Sequence, residues 1–423
     1  MLKRREFLAA VGASLAAAPL LSAAPARDNV RKKMAVVTTE WRYFSHAWHM
    51  AERFLVGYPV GGRWHRPAFD LVSAYVDQTP ENDLSRQRAG EFGFTIYPTI
   101  AEALRNGSEQ LAVDAVLVIG EHGDYPTNEL GQKLYPRYEF FQQVAQVFRQ
   151  DGRTAPVFND KHLSWKWRWA SEMVDTARSL GFPFLAGSSL PVTWRMPAID
   201  IPFGSDVEEV LCLAMGGVDS YDFHALEVIQ CMAERRRGGE TGVVALQALR
   251  GEPVWKAMAA SSWQQGGWDP RLFEACLSRS QTLAQPESFS HRYPTAEQIR
   301  QWVKEPVAYR FEYADGLKAT MLLMNGLVDD FTFAARLPRR SEPLSTLFYL
   351  PPNPNVVYSA ALMANVEQMF ETGKPPYPVE RTLLTTGLVA AGMQSLAGGQ
   401  ARIETPHLAV RYQAPRESTF WQD

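Results

Sequence analysis

Three short stretches of this chain collect side chains that move protons. Glu121-His122-Gly123-Asp124 directly follows the apolar run 113–119, and Asp160-Lys161-His162 directly follows the run 155–158. Asp222, His224 and Glu227 fall in the first turns of a helix predicted over 221–236. A lysine desolvated at the carboxyl end of a strand has a lowered pKa and can exchange a proton with a substrate hydroxyl. A histidine with a carboxylate three residues on shares a helix face with it, which fixes the imidazole tautomer and raises its basicity. The chemistry these patterns point to is general acid/base catalysis; a surface lysine and a core histidine are the plain alternatives. His122, Asp124, Asp160, His162 and His224 are also donor types for a divalent ion. No spacing among them is diagnostic, unlike His-Glu-x-x-His on a helix, so no metal ligand is assigned. Trp165, Trp167 and Trp169 alternate across a helix start and read as packing.

Holding these groups requires a framework, and the sequence describes one. Apolar runs at 34–38, 69–76, 94–97, 113–119, 155–158 and 183–186 are separated by amphipathic helical stretches at 45–54, 85–92, 99–105, 138–150 and 169–180. Such runs indicate a parallel sheet covered on both faces, a doubly wound, Rossmann-like domain over residues 34–189. From about residue 190 the pattern changes. Segments 307–313, 318–324 and 330–334 alternate as antiparallel strands with one wet face, interrupted by helices at 221–236 and 355–372 that close on Gly238-Gly239 and Gly373. Residues 190–423 therefore read as an α+β domain built on a largely antiparallel open sheet. Residues 58–65, rich in Gly, Trp and His, read as an inserted loop.

The chain opens with Arg4-Arg5, then Phe7-Leu8, an Ala/Leu-rich run to Leu21 and small residues to Ala26. This reads as a twin-arginine export leader over residues 1–26, with an apolar stretch too short to span a bilayer. The expectation is an exported, periplasmic protein with no membrane attachment once the leader is removed. With 46% hydrophobic and 21% charged residues and a formal net charge of −3, the composition is that of a soluble globular protein with no reason to bind nucleic acid. Three cysteines, an odd number without ligand spacing, read as small core residues.

Four segments, in order, resemble the Gfo/Idh/MocA family of sugar and polyol oxidoreductases. They are Asp114 to Gly120 with its polar loop; Pro156 to His162, where that family carries a Glu-Lys-Pro motif; Gly216-Gly217 through Asp222 and His224 to Glu227; and Thr372 through Glu380 to Gly387, followed by Ile403 to Pro406. The resemblance implies a two-domain enzyme that passes a hydride between a tightly held NAD or NADP and a sugar, polyol or glycoside, with a second copy meeting the C-terminal sheet. It places Lys161, His224 and Asp222 in catalysis. It places Thr38, Thr39 and Arg42 at the cofactor phosphates, Asp77 on the adenosine ribose, and Glu121, His122 and Asp160 along the nicotinamide. The chain departs from the family at Val37 to His46, which holds no glycine where a Gly-x-Gly-x-x-Gly turn normally lets the pyrophosphate reach a helix N-terminus. That departure implies the alternative, a relative without the dinucleotide site that serves as a carbohydrate-binding module or a metal-assisted lyase or hydrolase.

Overall fold

Strands and helices alternate from the first described residues. The computed structural model describes residues 31–286, 292–351, 353 and 356–422, so the leader and Asn355, the expected start of a helix, lie outside them. In chain order come β1 (Lys32–Thr38), a π-helical turn (Ala47–Ala51) running into α1 (Glu52–Val56), the hairpin β2 (Tyr58–Val60) and β3 (Arg63–His65), β4 (Phe69–Val76), α2 (Ser85–Phe92), β5 (Thr95–Ile96), α3 (Ile100–Arg105), β6 (Ala115–Ile119), α4 (Arg137–Asp151), β7 (Val157–Asp160), α5 (Trp167–Leu180) and β8 (Phe184–Gly187). Six of these strands form a sheet in the order β5-β4-β1-β6-β7-β8, with every pair parallel. The order reverses between β1 and β6, and ligands of such sheets bind outside the carboxyl ends at that point.

The period of two in the central strands sorts their side chains between two cores. Ala35 and Val37 of β1 and Val116 and Val118 of β6 pack under α3, α4 and α5. Met34, Val36, Leu117 and Ile119 pack on the other face, against the π turn and a helix from far along the chain, Tyr358–Thr372. Fully apolar β6 is therefore buried on both sides, as a near-continuous hydrophobic run requires.

The second sheet is built from β9 (Arg195–Met196), β10 (Glu209–Ala214), β11 (Val243–Arg250), β12 (Val307–Tyr313), β13 (Lys318–Leu323), β14 (Phe331–Arg336), β15 (Leu344–Phe348) and β16 (Ile403–Glu404), in the order β16-β11-β12-β13-β10-β14-β15-β9. Only β10 and β13 run parallel. On one face lie α6 (Tyr221–Ala233) and α11 (Glu380–Ala397), with Val210, Cys212 and Ala214 beneath them. The opposite face was expected to be wet and is not. Leu211, Leu213, Ala308 and Leu322 are buried there under α7 (Glu252–Ala260), α8 (Pro270–Arg279) and α9 (Ala296–Trp302), so a second copy would find no exposed apolar sheet face in these residues. The long α11 was also not foreseen: it is buried nearly all round, which removes the amphipathic period. Helix α10 (Tyr358–Thr372) returns to the first sheet and packs on its core. The inserted 58–65 segment is a hairpin, tied to α10 where Glu367 accepts from the Tyr58 hydroxyl at 2.5 Å and pairs with His65 at 2.9 Å. Among the described residues no helix is long and apolar enough to cross a membrane.

Candidate functional site

The loops that leave β1, β6 and β7 at their carboxyl ends meet the start of α6 around a cavity of about 180 Å³. The β6 loop supplies Glu121 and His122, and β7 with its loop supplies Asp160 and Lys161. The segment after β8 adds Ser188 and Ser189, and α6 adds Tyr221 and His224. From the β1 side come His46 and His49, one turn apart at the π-helical start, and α10 adds Tyr358.

Two glycines make this convergence physically possible. A Cβ on Gly120 would stand 2.6 Å from Arg137 Cγ, so only glycine lets the buried Arg137 run beneath the end of β6. Gly187, at φ 132°, would put a Cβ 3.1 Å from both carboxylate oxygens of Glu227. That carboxylate accepts from the Ser188 amide at 2.7 Å and the Ser188 hydroxyl at 2.9 Å. Glu227 is thus spent on the β8 loop and on Thr382, not on His224 as its helix spacing suggested.

Charge inside the cavity is arranged as two pairs. Lys161 lies 3.7 Å from Glu121 and donates to the Ser220 carbonyl at 3.3 Å, while Glu121 also pairs with Arg137 from below. Burial opposes ionisation of Glu121, but the Lys161 and Arg137 charges outweigh it and hold the carboxyl well below its usual range. Asp160 pairs with His46 Nδ1 at 2.5 Å. His46 in turn has His49 and His122 at ring-centroid distances of 4.7 and 4.9 Å.

Burial, then the neighbouring His46, pushes the His122 pKa down to about 3 and lowers that of His49 well below its ordinary value. Burial and Lys161 lower His224 similarly, and burial and Arg137 lower His162. At neutral pH these four imidazoles are uncharged, so each offers one donor and one acceptor nitrogen. Four buried atoms of the lining have no partner among the described residues: His49 Nδ1, His122 Nε2, Asp160 Oδ1 and His224 Nδ1. An unmet buried polar atom costs about 1–3 kcal/mol, so four in one cavity mark a place built to receive hydrogen-bonding groups.

Backbone strain collects at the same place. Of eight described non-glycine residues with positive φ, four are Phe44 (61°), His122 (72°), Lys161 (65°) and Asp219 (61°), in the loops after β1, β6 and β7 and just before α6. Each costs on the order of 1 kcal/mol, and such strain persists where a surrounding structure needs a side chain aimed.

Of the residues singled out in the sequence, Lys161, His224, Glu121, His122 and Asp160 line this one cavity. Asp222 does not. Its carboxylate accepts from the Ser220 and Phe223 amides and, at 3.0 Å, from the Tyr309 hydroxyl, and burial pushes its pKa up to about 6. His46, His49, Tyr221, Tyr358 and Arg137 were not foreseen. The i, i+3 spacing of the first two was the available signal, missed because His46 ended the segment read as a phosphate loop and His49 fell in the stretch read as a plain helix.

Thr38, Thr39, Arg42 and Asp77 sit at the other end of the crevice, where a dinucleotide would lay its pyrophosphate and adenosine. The residues there do not fit that group. Asp77 accepts from the Tyr75 and Tyr125 hydroxyls, both at 2.6 Å. Gln78 exchanges two hydrogen bonds with the Asp124 backbone, at 2.8 and 3.0 Å. Thr38 donates to the Glu40 carbonyl, Thr39 donates to the Glu121 carbonyl at 2.6 Å, and Arg42 pairs with Glu40 at 2.6 Å. At the start of the helical turn, Ser45 Oγ already accepts from the Arg42 and Trp48 amides. The loops after β4 and β6 are thereby fastened together across the end of β1. None of the four residues borders the cavity, whose volume falls short of the roughly 300 Å³ at which pockets for drug-sized ligands begin. Among the described residues no three His, Cys, Asp or Glu side chains are placed to share a metal ion.

No family profile matches the sequence, and no curated protein matches it. The fold, by contrast, recurs among solved structures. GenD2 from gentamicin A biosynthesis, in complex with NAD, superimposes with a TM-score of 0.55 at 12% identity over 88% of this chain and 96% of that one. The myo-inositol dehydrogenase of Lactobacillus casei, in complex with NAD(H) and myo-inositol, gives 0.52 at 11% identity over 88% and 96%. The myo-inositol 2-dehydrogenase of Lactobacillus plantarum gives 0.52 at 11% identity over 88% and 99%. Inositol dehydrogenases and related oxidoreductases are thus neighbours over most of the chain, and the fold is the two-domain Gfo/Idh/MocA fold.

Proposed function

We propose that this Gfo/Idh/MocA-fold protein is an exported enzyme that acts on a single ring of a sugar, polyol or glycoside by proton transfer, as an isomerase or lyase, without a nicotinamide cofactor. The observation that carries this reading is the contrast inside the crevice: partnerless buried imidazole and carboxylate atoms gathered around one cavity, and an Asp77–Gln78 end whose side chains are fastened to Tyr75, Tyr125 and the Asp124 backbone. Hydroxyl groups of one ring supply the donors and acceptors that the lining lacks. Neutral His122 and His224 hold ring hydroxyls through their nitrogens, Asp160 Oδ1 is the carboxylate oxygen left free to take a proton, and Lys161, held against Glu121, donates to an oxygen that gains negative charge. Residues 34–189 and 190–423 form the two halves that close on this ring, and the twin-arginine leader carries the folded protein to the periplasm.

The rival reading is hydride transfer to a tightly held NAD(P). It is favoured by the NAD-bound neighbours and requires the Asp77–Tyr125 and Gln78–Asp124 fastenings to open. One preparation separates the two. Protein purified from its native export route is denatured, and released nucleotide is sought by absorbance and mass. In parallel, sugars, inositols and aryl glycosides are incubated with the native protein in deuterium oxide and followed by NMR. Solvent deuterium appearing in a substrate that needs no NAD(P), lost in Lys161→Met, supports proton-transfer catalysis. Stoichiometric nucleotide in the purified protein overturns it.

A further inference from the structure

The cavity just described is not the only concave site with carbohydrate-binding chemistry. A second cleft of about 570 Å³ lies between the turn of the β2–β3 hairpin and the C-terminal segment, and none of the catalytic candidates borders it. Its lining pairs Trp194 with Trp421, whose rings meet edge to face at 5.1 Å and 77°, with Phe420 alongside. Ser418 and Gln422 supply polar groups at the same lining, and Val60 of the hairpin lies opposite. Such a site, with broad aromatic faces and a few hydrogen-bonding groups, matches what small-molecule clefts present, and its volume is ample for a sugar ring.

Its position ties it to the first site. Val357 borders the cleft and the next residue, Tyr358, borders the proton-transfer cavity. On the other side Leu190 borders the cavity and Trp194 the cleft, joined by the 3-10 turn Leu190–Val192. The Trp421 amide donates to the Val192 carbonyl at 3.0 Å, and the Tyr349 amide to the Trp194 carbonyl at 2.9 Å, so both tryptophans are fixed to that shared wall. Phe420 is held by the Arg195 guanidinium, 4.2 Å from its ring centroid. The aromatic faces are thus anchored rather than trailing.

We infer that the Trp194–Trp421 cleft is a second carbohydrate subsite, which stacks a further pyranose ring or aryl group of a glycoside whose reacting ring enters the neighbouring cavity. The inference takes its substrate class from the proposed function, and the test separates the two. Tryptophan fluorescence and calorimetric titrations use myo-inositol, glucose, cellobiose and 4-nitrophenyl β-glucoside as probes, on the whole protein and on the Trp421→Ala and His122→Asn variants. Val60→Arg, at a partly exposed hairpin position, blocks the cleft without touching the core and guards against a Trp421 variant that fails to fold.

The expected result is a roughly tenfold weaker binding of cellobiose or the aryl glucoside in Trp421→Ala and Val60→Arg, with the single-ring probes unchanged in both. Loss of two-ring binding in Trp421→Ala and Val60→Arg supports the subsite, and unchanged binding of every single-ring probe in His122→Asn overturns the cavity as the seat of the reacting ring while leaving the subsite standing. Loss in His122→Asn alone, or equal losses for one-ring and two-ring probes, overturns the subsite. If none of the probes binds at up to 10 mM on the order of weak sugar affinities, both inferences fall.

Discussion

Around the cavity at the β6–β7 end of the crevice, His122, Asp160 and His224, with His49 reaching in from the β1 side, each leave a buried atom without a partner among the described residues, and His122 and Lys161 hold left-handed backbones. At the β1–β4 end, Asp77 is met by two tyrosine hydroxyls, Gln78 by two backbone groups and Thr39 by a carbonyl. One fold presents both ends, yet only at the first do the unpaired atoms gather around one cavity. The difference teaches that in this architecture a residue's place in the sheet does not decide its role. What decides it is whether neighbouring loops already consume its polar atoms.

The comparison breaks first at the open end. His122→Asn keeps a residue tolerant of positive φ while removing the imidazole. Turnover of a reacting sugar or polyol should fall at least roughly a hundredfold, about 3 kcal/mol of barrier, with the melting temperature little changed. Asp77→Asn at the closed end should change turnover less than about twofold on the same scale. Equal losses in the two variants would remove the distinction between the ends.

A smaller effect tests the support beneath the site. Gly187→Ala places a methyl against the Glu227 carboxylate at a φ that side chains rarely adopt. It should cost about 2–3 kcal/mol of stability in a denaturant titration. A loss below about 0.5 kcal/mol would show that the β8 turn relaxes and that the Glu227–Ser188 contacts do not set its shape.

Acid sharpens the contrast further. His122 titrates near 3 in the folded protein and near 6.5 in an unfolded one, so as pH falls through 6.5 the unfolded chain gains a proton the folded chain refuses. That term leaves stability intact above about pH 6.5 and removes it on acidification, about 2 kcal/mol by pH 5. Asp219 and Glu227 oppose it: burial raises both to about 7, so their contribution is full below the free carboxyl range and fades as pH rises through 7. Melting curves of the parent and His122→Asn at pH 5 and pH 8 isolate the histidine. The variant should gain relative to the parent at pH 5, and the same difference at both pH values would refute a buried neutral imidazole.

The smallest effect belongs to the closed end. Tyr125→Phe removes one hydrogen bond to Asp77 and should cost about 1 kcal/mol while conferring no binding of NAD at 1 mM. Tight NAD binding in that variant, by calorimetry, would show that the fastening is a latch over a surviving dinucleotide seat.

Much of the framework was legible because it is local. The strands 69–76 and 307–313 and the helix 85–92 coincide with the periodicity of their own residues, and the loops after β6 and β7 could be placed at the carboxyl ends of parallel strands from run order alone. That reasoning brought Glu121, His122, Asp160, Lys161 and His224 to one cavity. What the chain's own order could not disclose is how side chains choose partners across it. Asp77 meets Tyr125 over 48 residues, Thr39 meets Glu121 over 82, and the outer face of the second sheet is covered by helices whose burial follows from neighbours, not from period. His46 and His49 carry no mark distinguishing a loop end and a plain helix turn from a cavity wall until β7 brings Asp160 within 2.5 Å of His46. Periodicity is set by residues a turn or a pleat apart, so sequence determines it. Satisfaction of a buried polar atom depends on which distant group arrives first, and only the tertiary structure decides that.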